Sequence, residues 1–184
     1  MRVIAGSARS IPLKTPEGEG TRPTTDRIKE TLFNILSPDI FEAKVLDLFA
    51  GSGQLAIEAL SRGADKAVLI DSGKKPMECI KANIKKTKFE DRCTVIQKEL
   101  PFALGQVVSE KPFSLIFIDA PYEEKSLVSD CLKEILRLDL LPAYGIIVVE
   151  NALDDTFDIP EGLEIYRIKT YKTNQHVFLK KSEK

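Results

Sequence analysis

Five short runs rich in apolar and β-branched residues are separated by stretches with helical spacing, and this alternation leaves the chain few folds to choose from. The runs are AKVLDLF (43–49), KAVLID (66–71), CTVIQ (93–97), FSLIFID (113–119) and GIIVVE (145–150). Between them lie GQLAIEALSRG, KPMECIKANIKK, LPFALGQVVSE and KSLVSDCLKEILRL. In the last of these, Leu127, Cys131, Leu132, Ile135 and Leu138 recur on one helical face. Strands that are apolar throughout, each followed by a helix, imply a parallel sheet covered on both faces. Two further strands, LEIYRIKTY and QHVFLKK, follow with no helix between them, so a hairpin closes the chain and at least one strand runs antiparallel.

A different piece precedes the first βα unit. RVIAG and SIPLK read as two short strands, followed by the Gly/Pro/Glu-rich loop TPEGEGTRP. TTDRIKETLFNIL then places Ile28, Leu32, Ile35 and Leu36 on one helical face, with Thr24, Thr25 or Asp26 available as N-cap. The expected organisation is a single domain over 1–184, with an N-terminal hairpin and loop (1–21), a helix (22–38) and the core (43–181). A chain of 184 residues suits one hydrophobic core. No apolar run reaches the length of a membrane span, and the N-terminus has no signal-peptide core, so a cytoplasmic location without membrane partners is expected. With one histidine and three scattered cysteines, no metal site is expected, and the thiols are read as reduced and mostly buried.

The net charge of -1 argues against a protein that coats nucleic acid indiscriminately. Its distribution is uneven. Arg2, Arg9 and Lys14 give the first 16 residues +3, and six basic residues against two acids give Leu163 to Lys184 +4. Both are solvated ends unless they border a common site.

Ligands of such sheets bind at the carboxyl ends of the strands, near the point where the strand order reverses. The first strand ends in DLFAGSGQLAIEAL, where Gly51 and Gly53 allow a tight turn and close approach, and the next helix offers unpaired N–H groups. The second strand ends at Asp71, an acid placed to meet ribose hydroxyls. Gly51-x-Gly53-x-x-Ala56 with Asp71 also fits a loose dinucleotide fingerprint, so an NAD-dependent oxidoreductase is a rival reading. Against it stands Asp47, inside a strand that dinucleotide-binding proteins keep apolar, and the lack of an evident hydride-transfer acid or base. Taken alone, the glycines could simply make a tight turn.

The fourth strand ends in Asp119-Ala120-Pro121-Tyr122, a corner that the expected sheet order sets beside the glycine turn. With S-adenosylmethionine as donor, this corner has a chemical use. The exocyclic amine of a nucleobase is a poor nucleophile because its lone pair is delocalised into the ring. A carboxylate from Asp119 and the carbonyl of Ala120, held by Pro121, would accept its hydrogens and fix the nitrogen, and Asp119 could take the departing proton. Tyr122 offers a face for stacking a flipped base.

On these residues the chain resembles the bacterial 16S rRNA guanine-N2 methyltransferases of the RsmD type. RVIAG, RPTTDRIKETLFNIL (22–36), DLFAGSGQLAIEALSRGA (47–64), IFIDAPY and IIVVE carry the likeness, with IFIDAPY standing at the family's DPPY/F motif. The resemblance implies the class I methyltransferase fold, a Rossmann-like seven-stranded sheet whose last strand is antiparallel. It implies S-adenosylmethionine as cofactor and a guanine of 16S rRNA, in an assembling or assembled small subunit, as acceptor. By position it makes Asp47, Phe49, Ala50, Gly51, Ser52 and Gly53 the methionine-side loop, Asp71 the ribose ligand and Glu99 the neighbour of the adenine. It adds Arg22, Thr24, Thr25 and Asp26 beside the cofactor pocket, and sets Arg2, Arg9 and Lys14 near the RNA path. Two departures stand out: Ala120 replaces the first proline of the motif, and Gly73 replaces a second acid after the second strand. N6-adenine methylation of nucleic acid remains the same-chemistry alternative.

Overall fold

A computed structural model describes residues 1–16, 25–121 and 124–183. Its strands are β1 (Lys44–Leu48), β2 (Lys66–Asp71), β3 (Cys93–Gln97), β4 (Leu115–Ile118), β5 (Ile146–Ala152), β6 (Leu163–Thr170) and β7 (Asn174–Lys181). They join in one sheet of order β3-β2-β1-β4-β5-β7-β6. The first five pair in parallel, and β7 runs antiparallel to both β5 and β6. This is the doubly wound sheet with a closing hairpin that the alternation of apolar runs implies. The order reverses between β1 and β4, where Leu48 pairs with Ile118, so Phe49 and Asp119 leave the sheet side by side.

The strand period of two divides the core. Val45, Leu69, Phe117 and Val148 face one layer with α1 (Asp26–Ile40), α2 (Gln54–Ser61) and α3 (Lys74–Thr87). Leu46, Leu48, Ile116, Ile118, Ile147 and Val149 face the other, with α4 (Lys125–Arg137). Fully burying side chains of this size stabilises the fold by about 1.5–3 kcal/mol each. Asp47 shares the face of Val45 and is therefore carried into the packed layer beneath α2. No helix among the described residues is long and apolar enough to cross a membrane. Cys131 is buried, Cys79 and Cys93 half-buried, and burial pushes the Cys93 and Cys131 thiols up to about 12.

Three expectations need correction. The helix read at 22–38 begins at Asp26 and runs through Pro38 to Ile40; the Thr25 hydroxyl caps it by accepting from Ile28 N–H. LPFALGQVVSE forms a 3-10 segment over Phe102–Glu110, because Gly105 and the β-branched pair Val107 and Val108 disfavour an α-helix in so short a stretch. The two N-terminal strands reduce to one antiparallel bridge, Arg2 to Pro12. Val3 and Leu13 N–H still donate across to Ile11 and Met1 carbonyls, and side chains of the helices satisfy other backbone groups there. Glu58 accepts from Ile4 and Ala5 N–H, Ser61 Oγ accepts from Ala8 N–H, and Asn83 Oδ1 accepts from Lys14 N–H. Gly6 lies so close to the α2 terminus that a Cβ would sit 1.8 Å from the Ser61 carbonyl oxygen.

Candidate active site

The turn after β1 is shaped by its backbone. Phe49, Gly51 and Gly53 all have positive φ, at 59°, 60° and 76°. A Cβ on Gly53 would come 2.9 Å from Leu69 Cδ2, so packing as well as conformation requires glycine there. A Cβ on Gly51 would meet only the Phe49 carbonyl, at 3.9 Å, so that position faces open space. Ala50 N–H donates to Ile70 O at 3.0 Å, and Asp71 Oδ2 accepts from Gly51 N–H at 2.9 Å. The other oxygen of Asp71 accepts from Gly73 N–H at 2.8 Å, so its carboxylate is locked at the mouth of the turn. A side chain on Gly73 would press on the Pro76 ring at 2.8 Å, which accounts for the missing second acid.

Asn83 of α3, fully buried, ties this turn to the N-terminal arm. Its Nδ2 donates to the carbonyls of both Ser52 and Lys14 at 2.8 Å, and its Oδ1 accepts from Lys14 N–H. The Ser52 hydroxyl lies 3.7 Å from Met1 Sδ. Arg2 is paired with Asp26 at 3.0 Å, so two residues expected in separate roles hold each other. Arg9 and Lys14 are exposed on the same arm. The C-terminal basic run does not join them. Its Lys180 and Lys181, on β7 toward the far edge of the sheet, pair with Glu164 of β6 and with Asp139 after α4.

Four carboxylates gather along one strand-end rim. Asp47 accepts from Ala56 N–H at 3.2 Å, and burial pushes its carboxyl up to about 8, with Asp71 adding to the rise. Asp119 is half-buried, and its carboxyl is held well above the ordinary carboxylate range by burial first and by Glu150 and Asp47 next. Glu150, at the same end of β5, accepts from Asn174 Nδ2 at 2.7 Å and faces His176 Nε2 at 3.2 Å. His176 in turn meets the Tyr171 hydroxyl at 3.3 Å. Beyond Asp119, Ala120 and Pro121 line a small cleft of about 20 Å³ with Glu150, Asn151, Thr156 and Phe157. Glu99 is exposed at the end of β3, where its carbonyl accepts from Ala103 N–H at the start of the 3-10 segment. Arg22, Thr24 and Tyr122 lie outside the described residues.

Glu150, Asn151 and His176 were not singled out from sequence as site residues. The signal for the first two was the polar ending of an otherwise apolar strand, VVEN; His176 sits in an unremarkable hairpin strand and gave none.

The buried state of Asp47 has a measurable consequence. Its folded value lies above the unfolded one near 4, so its contribution to stability is full below about pH 4 and is lost as pH rises through about 8. Asp47→Asn is expected to flatten that decline, which has a slope of at most about 1.4 kcal/mol per pH unit. Denaturant melts of both proteins across this range measure it; parallel curves would contradict the assignment.

The residues present fit a cationic, adenosine-bearing cofactor. Gly51 leaves room, Asp71 has lone pairs beyond its two backbone bonds, and Gln54, first residue of α2, buries an amide oxygen with no partner.

Comparisons with known proteins agree with this geometry. The sequence profile of the family described as Conserved hypothetical protein 95 matches residues 1–180. The chain is 36% identical over 172 residues to ribosomal RNA small subunit methyltransferase D of Haemophilus influenzae, covering 92% of this chain and 88% of that protein. The protein of the same name from Escherichia coli K12 is 34% identical over 170 residues, covering 92% and 84%. Among solved structures, yhhF of Escherichia coli superposes with a TM-score of 0.83 at 30% identity, covering 100% of this chain and 99% of that one. A conserved hypothetical protein of Streptococcus pyogenes gives 0.73 at 31%, covering 84% and 95%. The chain belongs to the Conserved hypothetical protein 95 family, that of the RsmD-type methyltransferases.

Proposed function

We propose that this protein methylates the exocyclic N2 amine of a guanine in 16S rRNA, in the cytoplasm, with S-adenosylmethionine as donor. The observation that carries the reading is the row of carboxylates from Asp71 through Asp47 and Asp119 to Glu150, bordering an open glycine turn on one side and a cleft on the other. Bound there, S-adenosylmethionine supplies an electrophilic methyl group on a cationic sulfonium. Asp47 and the turn from Phe49 to Gly53 would hold its amino-acid end, Asp71 its ribose, and Glu99 its adenine. Thr25 and Asp26 secure the start of α1, and through Arg2 the arm beside the turn.

Asp119 and the Ala120 carbonyl act on the amine. Both accept N–H hydrogens, which fixes the nitrogen and favours a pyramidal geometry with a free lone pair. Asp119 takes the proton that leaves, and a carboxyl raised toward neutrality is a better base for it than an ordinary one. Ala120 contributes only its carbonyl, so losing the first proline of the motif leaves this chemistry in place. The relatives' names support rRNA as the substrate class.

Nucleoside analysis tests the reading: 16S rRNA, free or assembled into small subunits, should gain N2-methylguanine with the purified protein. N6-methyladenine instead would favour the alternative. Arg9→Ala is expected to weaken RNA binding and to lower the salt slope by about one. An unchanged slope from titrations at several salt concentrations would return Arg9, and with it the case for Arg2 and Lys14, to ordinary surface.

A further inference from the structure

Asn151 follows Glu150 on β5 and is 6% exposed. Its Nδ2 donates to the Asp155 carbonyl at 2.8 Å. A carbonyl only accepts, so this bond fixes which end of the amide is nitrogen and leaves Oδ1 as the other end. That oxygen is buried with no hydrogen-bond partner. Asn151 also lines the cleft that Ala120 and Pro121 border. Its neighbour Glu150 already accepts from Asn174 Nδ2 and faces His176 Nε2, one on each oxygen. A buried acceptor without a donor is costly to keep, and its place beside the reaction corner suggests what it awaits.

We infer that Asn151 is a specificity-determining residue whose Oδ1 accepts the N1–H of the target guanine. The inference rests on the guanine-N2 reading and deepens it. The lower Watson–Crick edge of guanine carries three hydrogens in a row, one on N1 and two on N2. Asp119, the Ala120 carbonyl and Asn151 Oδ1 provide three acceptors at the adjacent ends of β4 and β5, and Ala120 and Asn151 line one cleft there. Adenine presents a lone pair at N1 beside its amine, which sets acceptor against acceptor and leaves Asn151 unsatisfied. Phe157, half-buried in the same wall, supplies apolar surface for the base plane.

2-Aminopurine isolates this contact, since it keeps the exocyclic amine at C2 but has no hydrogen on N1. 16S rRNA ligated with guanine or 2-aminopurine at the target, free or assembled into small subunits, is the probe. The wild type is expected to favour guanine by about 10- to 100-fold in kcat/KM. In Asn151→Ala the guanine rate falls by a similar factor and the ratio approaches one. Asn151→Ser, whose hydroxyl can donate or accept, also loses the preference. The ratio is internal to each preparation, so a partly unfolded variant does not distort it. A wild-type ratio near one, or an unchanged ratio in both variants, overturns the inference. Transfer to an adenine, with none to guanine, would instead mark failure of the underlying functional reading.

Discussion

Asp119→Ala is expected to lower kcat for methyl transfer by about 10²- to 10⁴-fold while leaving S-adenosylmethionine binding nearly unchanged. In the proposed reaction the substitution removes both an acceptor for the amine and the group that takes its proton. It also removes one of several neighbouring like charges, so the fold should be no less stable, and lost activity cannot be put down to unfolding. Asn in place of Ala restores an acceptor but not a base and should recover part of the rate. The pH dependence follows from the same surroundings. Only the ionised carboxyl accepts the proton, and burial with Glu150 and Asp47 holds its value well above the ordinary range. Turnover of the wild type should therefore fall as pH drops through that raised value, earlier than an exposed aspartate would dictate. Single-turnover assays with labelled donor, paired with calorimetric titration of the cofactor, measure both parts. Undiminished turnover in the alanine variant would remove Asp119 from the chemistry.

The second large effect is structural. Glu58→Ala is expected to cost about 3–5 kcal/mol, which lowers Tm by roughly 10 °C in a protein of this size. Glu58 is fully buried and accepts from Ile4 N–H, Ala5 N–H and Arg62 Nε, at 2.9 Å, 3.1 Å and 2.9 Å. It also pairs with Lys29 Nζ at 3.4 Å, both side chains being wholly inaccessible. Burial pulls the Lys29 ammonium below its ordinary value, and Glu58 is what opposes that pull. Without the carboxylate, the buried Lys29 ammonium keeps only the Arg2 carbonyl and two backbone donors lose their acceptor. Adding Lys29→Met to the alanine variant should return part of the loss, because the stranded charge is then gone. Thermal melts of the single and double variants decide it. Equal melting temperatures for wild type and Glu58→Ala would show that the arm and helices are held by apolar packing alone.

The sheet was legible because its information is local. Each central strand is a short apolar run closed by a turn residue, and the period-2 and period-3.6 patterns do not overlap. The rim was half legible for the same reason: Asp47, Asp71 and Asp119 each end or interrupt an apolar run. What sequence concealed was pairing across distance. Nothing near RVIAG announces that Ile4 and Ala5 N–H go to Glu58 while Val3 N–H alone reaches Ile11 O of SIPLK, so a ladder was expected where a single bridge forms. Arg2 and Asp26 looked like separate functional residues because their ion pair spans 24 positions. Asn151 ends a strand like many surface polar residues, and only burial exposes its unmatched oxygen.

Asn83 joins the arm to the glycine turn through one carboxamide, shared between Lys14 and Ser52. Peeling residues 1–16 from the surface removes both Lys14 bonds from Asn83 and loosens the side chain that donates to the Ser52 carbonyl, and distorting the turn tugs on Lys14. The two segments are therefore coupled, so the glycine turn and an arm that lies far from it in sequence loosen together.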